Sequence, residues 1–294
     1  MSEPPDSEGR RTPAPWTCDG DADSGLFGPD SVTWRVHAEA LMGVAGLRAL
    51  LLMALHPVAT TAFEDHWRHR DMWDRLTRLT EYTAVTTYGT TTQAMLAGSR
   101  VRASHARVHG VLPTGVAYTA DDPQLLAWVH CCLIASFLEV TTRGGLALSG
   151  AEQDCYIEEQ VRTAMLVGLE PDEVPHERGR LQDYFRVIRP ALECLPAARR
   201  AAAELVATPS PRLAPGAPLR PAWAGIAGLA FAALPPWGRR LYALSTLPGA
   251  AGLTDAATTV GLRALRTSLR GTQALVPPMR RERHLRVARG PVDP

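Results

Sequence analysis

The sequence predicts an all-α fold, built as a single globular domain of about eight or nine helices. Apolar residues recur with helical spacing after Ser31, helix-capping residues precede several of these stretches, and no alternating strand pattern exceeds four residues. The 294 residues are 46% hydrophobic and 21% charged, with a net charge of +1. This balance is typical of a folded globular protein.

The chain divides into three predicted parts. Residues 1–30 form a flexible N-terminal arm, residues 31–279 form the helical domain, and residues 280–294 form a C-terminal tail. The arm has no apolar stretch of the kind that a secretion signal needs.

Residues 34–55 predict the first helix, which is a core helix rather than a membrane span because charged residues interrupt its apolar run. Pro57 is expected to end it. The second helix is predicted over 72–88 and the third over 92–109, with Gly110 as a left-handed cap.

The next two helices have clear start signals. Asp122 is a typical N-cap, and a proline follows it at the first helical position. Ser149 and Glu152 have the spacing of a capping box. These helices are predicted to end near Gly144 and Gly168.

The other predicted segments are loops and further helices. They are a loop over 111–121, one or two helices over 177–206, a proline-rich loop over 208–221, and helices over 222–234 and 254–270. The apolar segment 222–234 is the best candidate for touching a membrane, but it is too short to span one, and a buried core helix is the favoured interpretation.

Composition excludes several functions. The chain contains no Lys, so mechanisms that need a lysine Schiff base or a P-loop lysine are excluded. The near-neutral charge argues against a nucleic-acid partner. Five cysteines without C-x-x-C spacing indicate reduced thiols in a cytoplasmic protein.

No hydrolase, zinc-protease or dinucleotide-binding motif is present in the sequence. A carboxylate-bridged diiron site needs two helical Glu-x-x-His pairs. The one match is Glu173 with His176, and Pro175 between them disfavours the helical spacing.

Histidines carry the main functional prediction. His105 and His109 lie four residues apart on one predicted helix, and His105 continues an apolar stripe on which Gly98 is expected to leave open space. The preceding helix offers Arg75 and Arg78. A buried imidazole beside open apolar space and guanidinium groups suits a haem held by one axial histidine, although His105 as an ordinary core histidine stays an open alternative.

His130, on the helix after that, is the second candidate. It is predicted to be a substitute ligand, a hydrogen-bond partner that orients the site, or a satisfied core histidine.

The order of these blocks resembles that of the MpaB and latex-clearing rubber oxygenase family. The blocks are GLRALLLMALHPVATTAFEDHWRHRDMWDRLTRLTEYTAVTTYG, VRASHARVHG, GVAYTADDPQLLAWVH and AEQDCYIEEQVRTAMLVG. The resemblance, which covers residues 34–168, implies an all-helical protein that binds haem b. It also implies that His105 is the proximal haem ligand and that Arg75 lines the distal side.

Three positions depart from the family pattern. Leu79 stands where the family has a threonine, His109 where it has an arginine, and Arg78 where the rubber oxygenases have a distal lysine. A guanidinium, unlike a lysine amine, neither gives up its proton readily nor ligates iron.

Together these features predict a cytoplasmic, haem b-dependent oxygenase that uses O2 or peroxide on a small apolar molecule, with no nucleic-acid partner and no transmembrane segment. His105 would be the iron ligand, with His109 and His130 close to the cofactor. Arg75 and Arg78 would bind oxygen, a haem propionate or a substrate carboxylate. The alternative is a helical haem- or ligand-binding protein without turnover, or a degenerate family member.

Overall fold

The computed structural model describes residue 23 and residues 25–67, 72–207, 219–243 and 251–275. These ranges contain twelve α-helices, two 3-10 turns and one two-stranded hairpin. The α-helices are α1 (Val32–His37), α2 (Met42–Met53), α3 (Pro57–Trp67), α4 (Met72–Tyr88), α5 (Thr91–His105), α6 (Pro123–Arg143), α7 (Gly150–Leu166), α8 (Arg178–Ile188), α9 (Pro196–Ala207), α10 (Leu219–Ala232), α11 (Pro236–Leu241) and α12 (Ala251–Leu275). The hairpin strands are β1 (His109–Val111) and β2 (Ala117–Thr119).

The predicted all-α class is confirmed, but the predicted number of helices is too low. The segment 34–55 forms two helices, α1 and α2, because the chain turns at residues 38–41. Pro57 begins α3, and Pro236 begins α11. A proline suits the first position of a helix as well as the end of one, because its φ is already helical and its missing N–H is not needed there.

Helices α2 and α6 pack against each other at the centre of the protein. In α2, ten consecutive residues from Val44 to Met53 are buried. Trp128 of α6 is fully buried and donates its indole N–H to the carbonyl of Met53. An apolar surface all round a helix is expected when neighbours cover it on every side.

The predicted helix starts at Asp122 and Ser149 are confirmed. The Asp122 carboxylate accepts hydrogen bonds from the backbone N–H groups of Gln124 and Leu125. The hydroxyl of Ser149 accepts from the N–H of Glu152, and the Glu152 carboxylate accepts in return from the N–H of Ser149.

The third helix is shorter than predicted. Helix α5 ends at His105, and the chain then forms the antiparallel hairpin, in which His109 pairs with Thr119 and Gly110 with Tyr118. The prediction that His105 and His109 project from one helix is therefore wrong, as is the prediction of a helix cap at Gly110. Strands of three residues are too short to leave a recognisable alternating pattern.

Helix α10 lies in the predicted apolar segment and packs against α2, α9 and α12. Trp223, Ala227 and Ala230 are buried, as the core-helix interpretation predicts, while Gly225 and Gly228 face outward.

By length and composition α6 could cross a membrane, and α2 with α3 could do so as one span bent by 99°. The apolar window of α6 is 72% buried inside the protein, as core helices commonly are.

Most of the predicted arm and all of the predicted tail lie outside the described residues, as do residues 208–218 of the predicted proline-rich loop. Within the arm, Leu26 and Phe27 are buried. The carbonyl of Leu26 accepts a hydrogen bond from Arg162 of α7 at 2.7 Å.

Candidate functional site

His105 is the last residue of α5. This helix begins with a capping box in which the Thr90 hydroxyl and the Gln93 side chain bond to each other's backbone N–H groups. The hairpin strand β1 begins soon after the C-terminal end of α5, at His109.

The His105 imidazole is largely buried, and its Nδ1 atom is buried without a hydrogen-bond partner. Burial lowers the pKa of the ring, and the positive charge of Arg75 lowers it further, while Asp121 opposes the shift. The ring is therefore neutral near pH 7. A neutral imidazole is the form that ligates a metal.

Arg75 lies near the start of α4. The residue is half-buried, and its guanidinium lies 5.0 Å from the centre of the Phe63 ring of α3, a cation–π distance. Burial lowers the pKa of Arg75 to about 10, and the charge of Arg78 adds to the effect. The guanidinium nevertheless stays protonated at neutral pH.

A cavity lies beside Arg75, between α2, α3, α4 and α9. Its volume is about 190 Å³, and part of it is open to solvent. This is smaller than the roughly 300–1,000 Å³ typical of small-molecule sites. Its wall is mostly apolar. Sequence patterns did not predict α3 as a cavity wall, because Pro57 was expected to end a helix rather than to begin one.

Arg78 and Leu79 differ in their surroundings. Arg78 is exposed on α4. Leu79 is partly buried and, with Leu76, faces Gly46 of α2, where a Cβ atom would lie 3.1 Å from Leu76 and 4.0 Å from Leu79. The family's threonine position thus packs against a core helix in this chain.

Gly98 does not provide the open space that the sequence suggested. It is buried where α5 meets α7, and an added Cβ atom would lie 2.5 Å from the carbonyl oxygen of Leu166. The glycine therefore brings two helices into close contact, and the open volume lies in the α2–α3–α4–α9 cavity instead.

The other two predicted histidines have different surroundings from this pair. His109 is exposed on β1. His130 is buried in α6, its Nε2 atom has no hydrogen-bond partner, and burial alone lowers its pKa to about 4. Neither residue contributes to the pKa shifts of Arg75 and His105 in the part of the chain that the structure describes.

His37 is a buried histidine that sequence reasoning missed. Its Nδ1 atom lies 2.7 Å from the Thr87 hydroxyl, and its Nε2 atom lies 3.2 Å from the Tyr156 hydroxyl. Burial lowers its pKa to about 3. No local signal could have revealed this network, because its partners lie 50 and 119 residues further along the chain.

Glu173 and His176 do not have the helical spacing that a diiron pair needs. Glu173 lies in a 3-10 turn rather than an α-helix, and His176 is exposed after it. In the part of the chain that the structure describes, no group of three His, Cys, Asp or Glu side chains could hold a metal ion. Axial ligation of a haem needs only one histidine.

Comparison with known protein families decides the relationship. The family described as "ER-bound oxygenase mpaB/B'/Rubber oxygenase, catalytic domain" matches residues 34–271. The chain belongs to this family.

The mpaB/rubber oxygenase match runs from α1 into α12 and includes Arg75, His105 and the whole cavity. It extends the resemblance seen in residues 34–168 to most of the helical domain. Comparisons with curated proteins and with solved structures give no significant match.

Proposed function

We propose that this protein is a haem b-dependent oxygenase that uses O2 or peroxide to oxidise or cleave a small apolar molecule. The observation that carries the proposal is His105, a neutral imidazole whose buried Nδ1 atom has no partner and whose pKa is lowered by the positive charge of Arg75. Membership in the mpaB/rubber oxygenase family supports the reaction class.

The residues present fit a haem with one axial histidine. The lowered pKa keeps His105 free to donate a nitrogen lone pair at neutral pH. Its unpartnered Nδ1 atom shows that no hydrogen bond inside the protein explains the burial of this ring. His130, also neutral and without a partner at Nε2, is the substitute ligand.

Haem b, when bound, would supply the activation of O2 or peroxide. His105 would hold the group on one side. Arg75 keeps its charge in a dry environment and would donate hydrogen bonds to an anionic or oxygen-bearing group. Arg78 adds positive potential from the surface of α4, and the apolar cavity wall excludes water from the reacting molecule.

The first test is the visible spectrum of the protein produced with adequate haem. Wild-type protein is expected to show a Soret band, and His105→Ala is expected to abolish or strongly shift it. His176→Ala, at an exposed position, is the matched control and should leave the band unchanged. A Soret band that is identical in His105→Ala and wild type would contradict the assignment of His105, and the same experiment on His130→Ala would then identify the ligand.

Leu79 favours a second candidate function, a haem- or ligand-binding protein without turnover. Its apolar side chain brings no hydrogen-bonding group to the position where the family has a threonine. Oxygen consumption by the haem-loaded protein in the presence of apolar substrates distinguishes the two functions. Consumption that depends on substrate supports the oxygenase, and its absence supports the carrier.

A cytoplasmic location is proposed on the state of the thiols. Cys131, Cys132, Cys155 and Cys194 are all free, and Cys155 is exposed. Exposed free thiols persist best in a reducing compartment.

A further inference from the structure

The charge balance inside the α2–α3–α4–α9 cavity is uneven. Across the ranges that the structure describes, the half-buried side chain of Arg75 forms no ion pair and no hydrogen bond, and its guanidinium lies 5.0 Å from the centre of the Phe63 ring. The charge of Arg78 near it is also positive, and His105 is neutral. A partly desolvated cation without a counterion attracts an anion, so this position favours one.

The acidic residues of the cavity do not neutralise Arg75. Glu64 forms an ion pair at 2.7 Å with Arg200, and this pair bridges α3 and α9 at the solvent-exposed side. Glu204 lines the same side and is exposed. Among the described residues that line the cavity, Arg75 is therefore the cation that has no paired carboxylate.

The rest of the cavity wall is apolar and made largely of small side chains. Leu50 and Met53 come from α2, Ala59 from α3, and Ala198 and Ala201 from α9. Small side chains leave the volume empty rather than filling it, and an apolar surface favours a hydrocarbon ligand.

We propose that this cavity binds an apolar monocarboxylic acid, with its carboxylate on Arg75 and its hydrocarbon part along the wall formed by α2 and α9. This inference rests on the proposed function and names its substrate class. A guanidinium offers two parallel N–H donors that match one carboxylate. In the described part of the cavity wall, the cations are Arg75 and Arg200, and Arg200 is paired with Glu64. The wall therefore offers one cation, which suits a monoanion better than a phosphate monoester of greater charge.

The test compares three probes, decanoate, decanol and decyl phosphate, by calorimetric titration into the full-length protein as purified. Decanoate should bind about 10- to 100-fold more tightly than decanol, the range expected for a hydrogen bond to a charged group. It should also bind more tightly than decyl phosphate. Equal affinity for decanoate and decanol would overturn the proposal, and tighter binding of decyl phosphate would overturn the choice of a carboxylate.

Arg75→Gln should remove the preference for decanoate over decanol. The variant is expected to fold, because it removes a buried charge that has no partner. Arg186→Gln is the matched control, since Arg186 is exposed and pairs with Asp183 on α8, and it should keep the wild-type preference. A preference that survives in Arg75→Gln would contradict the assignment.

Ala201→Phe tests the cavity without changing Arg75. The larger side chain should fill part of the cavity and weaken decanoate binding at least tenfold, whereas unchanged binding would place the ligand elsewhere.

Recording the Soret band of each preparation separates this inference from the proposed function. Acid binding in a protein without that band contradicts the haem proposal alone. This inference would be overturned if haem-loaded wild-type protein bound decanoate no more tightly than decanol and Arg75→Gln lost its haem. Arg75 would then be assigned to a haem propionate.

Discussion

At the scale of single residues, hydrogen bonding distinguishes the buried histidines better than burial does. His37 is enclosed by the core, but both of its ring nitrogens have hydroxyl partners, Thr87 and Tyr156. His56, His105 and His130 each keep one buried ring nitrogen without a partner. A satisfied imidazole has its structural role already, whereas an unsatisfied one is a candidate ligand.

His130 should make the protein sensitive to acid. Its pKa is about 4 in the folded protein and 6.5 ordinarily. Below pH 6.5 the unfolded chain therefore binds a proton that the folded chain does not, and stability falls as the pH drops towards 4. Between pH 7 and pH 5 this loss amounts to about 2 kcal/mol.

His130→Leu should reduce the loss of unfolding free energy between pH 7 and pH 5 by that amount, as measured by urea unfolding at both pH values. His176→Gln, at an exposed position, is the control. If His130→Leu and wild type lose the same stability over this interval, the buried ring does not control the acid response.

At the scale of the helices, the contact between α5 and α7 positions His105. Gly98 lets α5 approach the backbone of Leu166 at the end of α7. Arg102, one turn further along α5, donates a hydrogen bond to the same Leu166 carbonyl. The end of α5, where His105 lies, is therefore held against α7 by one close approach and one hydrogen bond.

Gly98→Ala should destabilise the protein by about 1–3 kcal/mol, because the new methyl group would overlap a backbone oxygen that cannot easily move. An alanine inside a helix ordinarily stabilises it relative to glycine by about 0.5–1 kcal/mol. Chemical denaturation measures the change.

Gly225→Ala in α10 provides the control, because an added Cβ atom there meets nothing within 4 Å. It should stabilise the protein slightly. A stabilising effect of Gly98→Ala would show that α5 and α7 can separate at no cost, and His105 would then not be fixed by this contact.

At the scale of the whole molecule, Glu39 joins distant parts of the chain. Its side chain is only 4% exposed and accepts hydrogen bonds from Arg266 and Arg270 of α12, at 2.6–2.8 Å. Arg266 also donates to the carbonyl of Gly145 at 2.7 Å. The turn between α1 and α2, the turn after α6 and the last described helix therefore meet at one carboxylate.

Glu39→Gln should lower the free energy of unfolding by about 2–3 kcal/mol, because it breaks a buried ion pair. The expected loss is small for a buried pair because Arg270 is half exposed. It should also expose α12 to proteolysis. Urea unfolding and limited digestion measure both effects. Arg186→Gln, which breaks an exposed ion pair with Asp183, is the control and should lower the free energy of unfolding by at most about 0.5 kcal/mol. An equally small effect of Glu39→Gln would mean that α12 is held by apolar packing alone.

Local signals predicted the parts of the fold that local chemistry controls. The start of α6 follows from the carboxylate of Asp122, and the start of α7 follows from the reciprocal bonds of Ser149 and Glu152. The separate helix α3 and the hairpin at His109 were missed. A proline in the sequence is compatible with either the end or the beginning of a helix. Strands of three residues are too short to leave an alternating pattern of apolar and polar side chains.

The sequence by itself determined the all-α class, the family and the residue types of the candidate site, because capping, helical periodicity and the order of motifs are properties of neighbouring residues. Only the tertiary structure decided the surroundings of those residues. It placed the charge of Arg75 where it lowers the pKa of His105, put His109 on an exposed strand outside α5, and showed that the open volume lies against α3 and α9 rather than at Gly98. These distinctions depend on contacts between residues far apart in the chain, and no local pattern records such contacts.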